Sequence, residues 1–428
     1  MIKKKIWIIN HYATNMFYNK GGRHYWFAKY LEQEGYRPVI FSCNVKHGSL
    51  GRFVETDDLW IEQQAEDINV PFVLVNSSLY KGNGIDRIKN MFGFYRNVKK
   101  VAKAYAKKHD VPDVIYASSV HPLSLVAGIQ LAKYFGIKCI CEIRDLWPES
   151  IVAYSNKLTK SNAIVKLLYQ GERWIYKKAD KLIFTVEGGA DYIKDQGWDK
   201  ENKGPIDISK VHHINNGVDI KAFDNNVRSN VYEDDDLDNP DTFNLVYTGS
   251  IRQANNLKIV VDAAKNIQNS NTAHKCEEIK FLLFGDGDER ENLQKRCLNE
   301  KISNVVFKGK VEKKYVPNIL SKASVNILNY SNHEIWKYGG SQNKSFEYLA
   351  SGKPILSTIT MGYDIIEKYN AGITLKRQDP ETISEAVISF FNMDEKIYNS
   401  MAQNARNAAQ DYDYIKLAKK LIDIIESV

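Results

Sequence analysis

Short runs of β-branched and aromatic residues recur through the first half of the chain, at 6–9, 39–42, 72–75, 114–117, 139–143, 182–186 and 211–214. The segments between them, 22–34, 87–108, 122–135 and 163–179, place apolar residues at the three- and four-residue spacing of helices that cover a sheet. Strands alternating with helices predict parallel βαβ units, and hence a Rossmann-like first domain. The stretch that follows, NNGVDIKAFDNNVRSNVYEDDDLDNPDTF, is polar and turn-rich, with five acids among residues 233–238 and no helical stripe. The pattern then restarts with runs at 245–248, 279–284, 305–307, 325–328 and 354–357, and the last 30 or so residues read as helix. The prediction is an α/β protein of two doubly wound parallel-sheet domains, 1–222 and 243–428, joined by a linker and surface loop at 223–242. The C-terminal helices are expected to close the second domain. In such an architecture a ligand crevice forms outside the carboxyl ends of the strands, here between the two domains.

Composition narrows the class. Of 428 residues, 43% are apolar and 26% charged, which is ordinary for a globular protein, and no run approaches the roughly 18 uncharged apolar residues of a membrane span. The opening MIKKKIWIIN loses its apolar character after Ile9 without a small-residue cleavage site, so it reads as the first strand rather than a signal peptide. Five cysteines, Cys43, Cys139, Cys141, Cys276 and Cys297, are odd in number and lack CxxC spacing, which fits a reducing cytoplasm. An excess of seven positive charges, 59 against 52, is modest, and its placement matters more. Between Arg87 and Lys108 lie eight Lys or Arg and no acid, while Ile88, Met91, Phe92, Tyr95, Val98 and Ala102 recur at helical spacing. Such a helix packs on its own sheet, presents a cationic face to anionic lipid, or does both. It lacks the interleaved stacking residues of a nucleic-acid module.

Candidate chemistry gathers where strands end. Gly21 and Gly22 precede a helix, as either a plain turn or a loop that lets backbone approach a ligand. They lack the GxGxxG spacing of a dinucleotide site. Ser118, Ser119 and His121 follow a strand and precede Pro122, where the imidazole either caps a helix or orients a hydroxyl and moves a proton. In EIRDLWPES, Glu142, Arg144, Asp145 and Glu149 either line a crevice or form local ion pairs. Gly249 and Ser250 follow a strand with Arg252 two positions on, and Gly285 and Gly287 repeat that arrangement. Small residues there expose amides to an anion and arginine adds a phosphate contact. The clearest signal is WKYGGSQNKSFEYLASGKPILST. Ser341, Gln342 and Asn343 open a helix on which Lys344, Ser345 and Glu347 follow, before Gly352 and Pro354 end it. Its dipole and free amides suit a diphosphate, Lys344 adds charge, and Glu347 is placed for ribose hydroxyls, although the same residues also cap helices without a ligand.

Taken in order, HYAT with GGRHYWFAKYLEQEGYRPVIF, SSVHPLSLVAG, EIRDLWPES, NNGVD, YTGSI, FGDGDE and SQNKSFEYLASGKPIL make the chain resemble a GT-B-fold retaining glycosyltransferase of family-4 type, in the branch that builds bacterial surface polysaccharides such as capsule and O-antigen. The resemblance implies a hexosyltransferase-type enzyme whose first domain receives a polyprenyl-diphosphate-linked or polysaccharide acceptor. The second domain would hold a nucleotide-diphosphate sugar, with Glu347 on the ribose and the Ser341–Asn343 helix start on the diphosphate. It implies no prosthetic group and no obligatory metal; together with the residues above, the expected catalytic set is His121, Arg252 and Lys344, the last two meeting the phosphate charge, in a cytoplasmic enzyme peripheral to the inner face of the membrane through residues 87–108. The chain departs from the family in two features, at three positions. Gly339 stands eight before Glu347, where the family carries a first glutamate, and Ser250 and Asn255 stand where arginine and lysine are usual. Those departures keep two other readings open: a nucleotide-sugar epimerase of the same fold, or a non-catalytic nucleotide-sugar- or glycan-binding subunit of an assembly complex.

Overall fold

The computed structural model describes residues 3–47, 50–82, 84–119, 121–155, 158–270 and 278–428. Cys276 and Val120 of the SSVHP motif lie outside the described residues. The chain divides into two compact units, residues 1–215 with 414–428, and residues 216–413.

Among the described residues, the first unit carries an eight-stranded sheet of β1 (Lys5–Ile9), β2 (Arg37–Cys43), β3 (Trp60–Gln64), β4 (Pro71–Val75), β5 (Val114–Ser118), β6 (Lys138–Ile143), β7 (Lys181–Phe184) and β8 (Val211–His213). Their order is β3-β4-β2-β1-β5-β6-β7-β8, parallel except for the antiparallel β3–β4 pair. The central strands are buried on both faces, which is why β1 reads as an unbroken apolar run, KIWII. Alternation sorts its two faces. Ile6 and Ile8 pack with Tyr25, Phe27 and Leu31 of the helix Arg23–Gln33 and with Leu417, Leu421 and Ile424 of the helix Tyr414–Glu426. Trp7 faces the other way, onto Tyr105 and Phe135 of the helices Ile85–His109 and Pro122–Phe135. Gly128 lets the latter helix approach the sheet, because a Cβ there would lie 2.5 Å from the Ala117 Cβ.

The second unit carries β9 (Phe243–Thr248), β10 (Ile279–Phe284), β11 (Val305–Gly309), β12 (Val325–Leu328), β13 (Ile355–Ser357) and β14 (Gly372–Thr374), all parallel in the order β11-β10-β9-β12-β13-β14. Helices Leu257–Gln268 and Pro380–Phe391 cover one face, and Val316–Lys322, Asn343–Ala350 and Glu395–Ala409 the other. Asp379 starts Pro380–Phe391 by accepting the Thr382 amide at 2.8 Å, with proline in the first turn.

Three expectations change here. The helix Tyr414–Glu426 packs in the first unit, on Arg23–Gln33, instead of closing the second domain, because its Leu417–Leu421–Ile424 stripe fits the face left beside Phe27 and Leu31. The stretch read as linker belongs to the second unit. It begins as the helix Ile220–Ser229, capped by Asp219 on the Ala222 amide at 2.7 Å, and its acidic run is held down by lysines. Asp234 meets Lys308 at 2.6 Å, Asp236 meets Lys280 at 2.5 Å and Lys308 at 2.7 Å, and Asp238 meets Lys322 at 2.5 Å. On the helix Ile85–His109 the apolar stripe splits. Val98 and Ala102 are buried together with Asn90, Phe94 and Tyr105, whereas Ile88 and Phe92 are each 52% exposed.

Candidate functional site

At the strand ends of the first unit, ionisable groups are consumed by one another. Glu142, near the end of β6, lies wholly buried against the Arg23 guanidinium, 2.7 Å from both Nε and Nη2. The Ser118 hydroxyl donates to it at 2.8 Å, the Tyr116 hydroxyl also donates, and His24 Nε2 stands at 3.1 Å. Arg23 spends its remaining donors on the carbonyls of Ile214, at 2.9 Å, and Asn215, at 2.6 Å. Burial by itself would raise the Glu142 carboxyl, but Arg23 and His24 hold it well below the usual carboxylate range. Glu142 is therefore a core hub that ties the helix Arg23–Gln33 to β6 and does not line a crevice.

The rest of EIRDLWPES is placed differently. Asp145 is exposed. The Arg144 amide donates to Ser119 Oγ at 3.0 Å, and Glu149 is paired with Lys160 at 2.8 Å and bonded by the Tyr169 hydroxyl. Gly22 has φ 107° and a Cβ there would lie 2.9 Å from Met16 Cγ, so the tight turn and its packing account for Gly22, with Gly21 beside the Trp26 ring.

His121 is buried at the residue before Pro122–Phe135, its imidazole makes no cap bond to that helix, and its Nε2 lies 2.8 Å from His11 Nδ1. His11 Nε2 in turn lies 2.8 Å from Asn90 Oδ1, and Asn90 Nδ2 donates to the Ser78 carbonyl at 2.5 Å. The chain of bonds has one self-consistent proton assignment. Asn90 Oδ1 accepts from His11 Nε2, His11 Nδ1 accepts from His121 Nε2, and His121 Nδ1 keeps a bare lone pair. That nitrogen is buried with no hydrogen-bond partner among the described residues. Burial, with Arg87 nearby, lowers His121 to about 3, so the ring is neutral at physiological pH.

At the strand ends of the second unit, the glycine loops after β9 and β10 lie against each other. The Gly249 amide donates to the Phe284 carbonyl at 2.9 Å and the Ile251 amide to the Asp286 carbonyl at 2.9 Å. A Cβ on Gly285 would lie 1.7 Å from the Gly249 oxygen, and one on Gly287 2.2 Å from the Ile251 oxygen. Gly285 and Gly287 thus serve loop-to-loop packing. Ser250 donates to Asn255 Oδ1 at 2.9 Å, so the two residues that replace the usual arginine and lysine bond to one another. Arg252 is exposed beyond them.

Beneath this loop lies Lys344. Its Nζ is 3.0 Å from the Tyr247 hydroxyl, 4.2 Å from the Tyr247 ring centre and 4.6 Å from that of Tyr330. The Tyr247 hydroxyl donates onward to the Ser250 carbonyl at 2.7 Å. Burial pushes the Lys344 ammonium down to about 7, with Glu347 opposing that shift. The helix Asn343–Ala350 that carries it has no side-chain cap at Gln342. Ser341 is held by Asn216, whose backbone amide donates to Ser341 Oγ at 2.9 Å and whose side chain donates to the Ser341 carbonyl at 2.6 Å. Asn343 is exposed, Ser345 is buried, and Glu347 one turn on is ion-paired with Lys313. Sequence reasoning found Lys344 but missed its aromatic cage. Tyr247 stands inside the YTGS motif, whereas nothing local to Tyr330 signals its role.

Residues 25–222 match the family described as Glycosyltransferase Family 4, and residues 242–393 that described as Glycosyl transferases group 1. Two curated relatives are each 25% identical. One is an uncharacterized glycosyltransferase of Methanocaldococcus jannaschii, over 59% of this chain and 59% of the relative. The other is a putative teichuronic acid biosynthesis glycosyltransferase of Bacillus subtilis, over 51% and 50%. The chain thus spans between half and three-fifths of the length of the relatives it matches. Among solved structures, sucrose-phosphate synthase of Thermosynechococcus elongatus superposes with a TM-score of 0.73 at 16% identity, covering 99% of both chains. The Anabaena HepE protein in complex with UDP-glucose gives 0.63 at 12% identity, covering 100% of both. The family 4 match falls almost wholly on the first parallel-sheet α/β unit and the group 1 match on the second, and the fold is that of the GT-B glycosyltransferases.

Proposed function

We propose that the protein is a retaining glycosyltransferase that moves a sugar from a nucleotide-diphosphate donor to a lipid-linked or polysaccharide acceptor. One observation carries the reading: Lys344, at the uncapped start of Asn343–Ala350, stands between Tyr247 and Tyr330 under the Gly249–Ser250 loop. A diphosphate seated on those amides stabilises the charged ammonium that burial disfavours, and Lys344 and Arg252 then meet the negative charge that grows on the leaving phosphate. In the reaction the anomeric C–O bond to the diphosphate breaks and a bond from the acceptor oxygen forms on the same sugar face. The acceptor proton passes to the departing phosphate oxygen. Glu347, steadied by Lys313, accepts from ribose hydroxyls, and within the first unit the bare His121 Nδ1 is the group that would accept from a hydroxyl of the acceptor. HepE, described in complex with UDP-glucose, supports a nucleotide-sugar donor, and the teichuronic acid relative supports a surface-polysaccharide acceptor. Among the described residues no helix is long and apolar enough to cross a membrane, and the basic helix Ile85–His109 is the proposed peripheral contact with an anionic inner leaflet.

A thermal-shift panel of uridine, guanosine and adenosine diphosphates and their sugars tests the donor site, because a ligand that binds only the folded state raises its melting temperature. One nucleotide is expected to stabilise the protein, and Lys344→Met to erase its shift. An unchanged shift in that variant removes the site from this helix. The anomeric configuration of the product, read by NMR, tests retention, and a product assay with acceptor present separates transfer from epimerisation. Because the leaving charge is met by side chains and amides, turnover is expected to survive a chelator.

A further inference from the structure

Beside the His121 loop, the first unit holds a cavity of about 410 Å³, within the range of small-molecule sites. Its walls are largely hydrocarbon and indole: Leu123, Val126, Trp147, Leu168 and Trp174, with Gly171 on the rim. At one end stand Ser119 and Asp145, where β5 and β6 finish. Glu172 lies at the buried base, bonded by the hydroxyls of Tyr176 at 2.6 Å and Tyr192 at 2.7 Å, and burial raises it to about 8, which leaves it uncharged at neutral pH.

The surroundings identify the occupant. The helix Ala163–Lys178, which forms one wall, continues the apolar surface outward through Ile164, Leu167 and Trp174, which are 70%, 71% and 39% exposed. It packs beside Pro122–Phe135, and that helix beside Ile85–His109, so the three form one layer on the same face of the sheet. Across the layer there are thirteen Lys or Arg against two acids, Asp86 and the buried Glu172. A strongly cationic layer with exposed apolar side chains complements an anionic membrane surface, and a cavity opening on it receives a chain from that surface.

We propose that this cavity binds the hydrocarbon chain of the lipid-linked acceptor, a polyprenyl phosphate derivative, and so presents its sugar end at Ser119 and Asp145. The inference rests on the glycosyltransferase reading for the meaning of the chain, but its test does not need turnover. Gly171→Trp places an indole at an exposed lining position of the cavity, where a Cβ would meet no atom within 4 Å, and a circular-dichroism spectrum and melting temperature matching the wild type show that the variant folds. Flotation of the full chain is measured with phosphatidylcholine vesicles containing a C55 polyprenyl phosphate, or phosphatidylglycerol at equal charge, or neither. Losing the burial of about two methylenes should weaken binding of Gly171→Trp to the polyprenyl vesicles about tenfold. Its binding to phosphatidylglycerol and its nucleotide-induced thermal shift should stay at the wild-type level. Equal binding of both proteins to polyprenyl vesicles, or no preference of the wild type for polyprenyl phosphate over phosphatidylglycerol, overturns the proposal. Chain binding lost in Gly171→Trp while neither protein transfers sugar would instead count against the glycosyltransferase reading alone.

Discussion

The two units end their parallel strands in opposite electrostatic states. In the first, charge is dense and mostly satisfied: Glu142 is locked to Arg23, and the side chains of His11 and Asn90 fix the His121 tautomer. In the second, charge is sparse and unsettled: Lys344 is held by tyrosines, and its ammonium is pushed down by burial. The same topological position thus does two jobs. A paired buried charge stabilises a scaffold, whereas a desolvated cation set between two tyrosine rings, with Glu347 already tied to Lys313, is poised to gain an anionic partner.

Two glutamates give the largest contrast. Glu142→Ala leaves the Arg23 guanidinium buried without its carboxylate, and is expected to lower unfolding free energy by about 3–5 kcal/mol in a denaturant titration. Glu347→Ala, which loses the pair with the 64%-exposed Lys313, should cost under about 1 kcal/mol while weakening nucleotide binding. If the two variants were equally stable, the division into scaffold charge and ligand charge would be wrong.

Lys344→Met should lower turnover by ~10² while leaving the apo protein at least as stable as the wild type, since it removes a buried charge and not a pair. A large loss of stability would make Lys344 a structural residue.

Proton linkage sharpens the same point. The Lys344 pKa is lower in the folded than in the unfolded chain, so between about 7 and the ordinary lysine value the unfolded state holds more protons. Apo stability at this site therefore rises with pH across that window, and the rise is absent in Lys344→Met. Nucleotide affinity runs the other way, because a diphosphate selects the charged ammonium. It should fall above about pH 7, by at most about tenfold per unit, when followed by calorimetry.

The smallest effect is expected at the loop itself. Ser250→Ala removes the bond to Asn255 on an exposed turn and should cost about 0.5–1 kcal/mol or less, with donor affinity little changed. A strong loss of affinity would mean that this pair contacts the donor directly.

Most strands, both glycine loops, and the helix bearing Lys344 were legible, because each is written within a dozen residues as an apolar run, a turn signal or a helix start. The strands β3 and β14 were not. WIEQQ is a half-exposed antiparallel edge, and GIT is three residues opening on glycine. Helical spacing in 87–108 was also legible, but the choice of buried face was not, since Ile88 and Phe92 are as apolar as the residues that pack.

By itself the sequence determined two α/β domains, the order of their motifs, and a lysine in the first turn of a helix that follows a glycine pair, all of which follow from local periodicity and backbone chemistry. Only the tertiary structure decided which charges are spent and which are available. Glu142 meets Arg23 across 119 positions, Lys344 meets Tyr247 across 97, and the last helix returns to the first sheet. Such pairings depend on which strand ends the topology brings side by side and on how deeply each group is buried. No window along the chain carries that information.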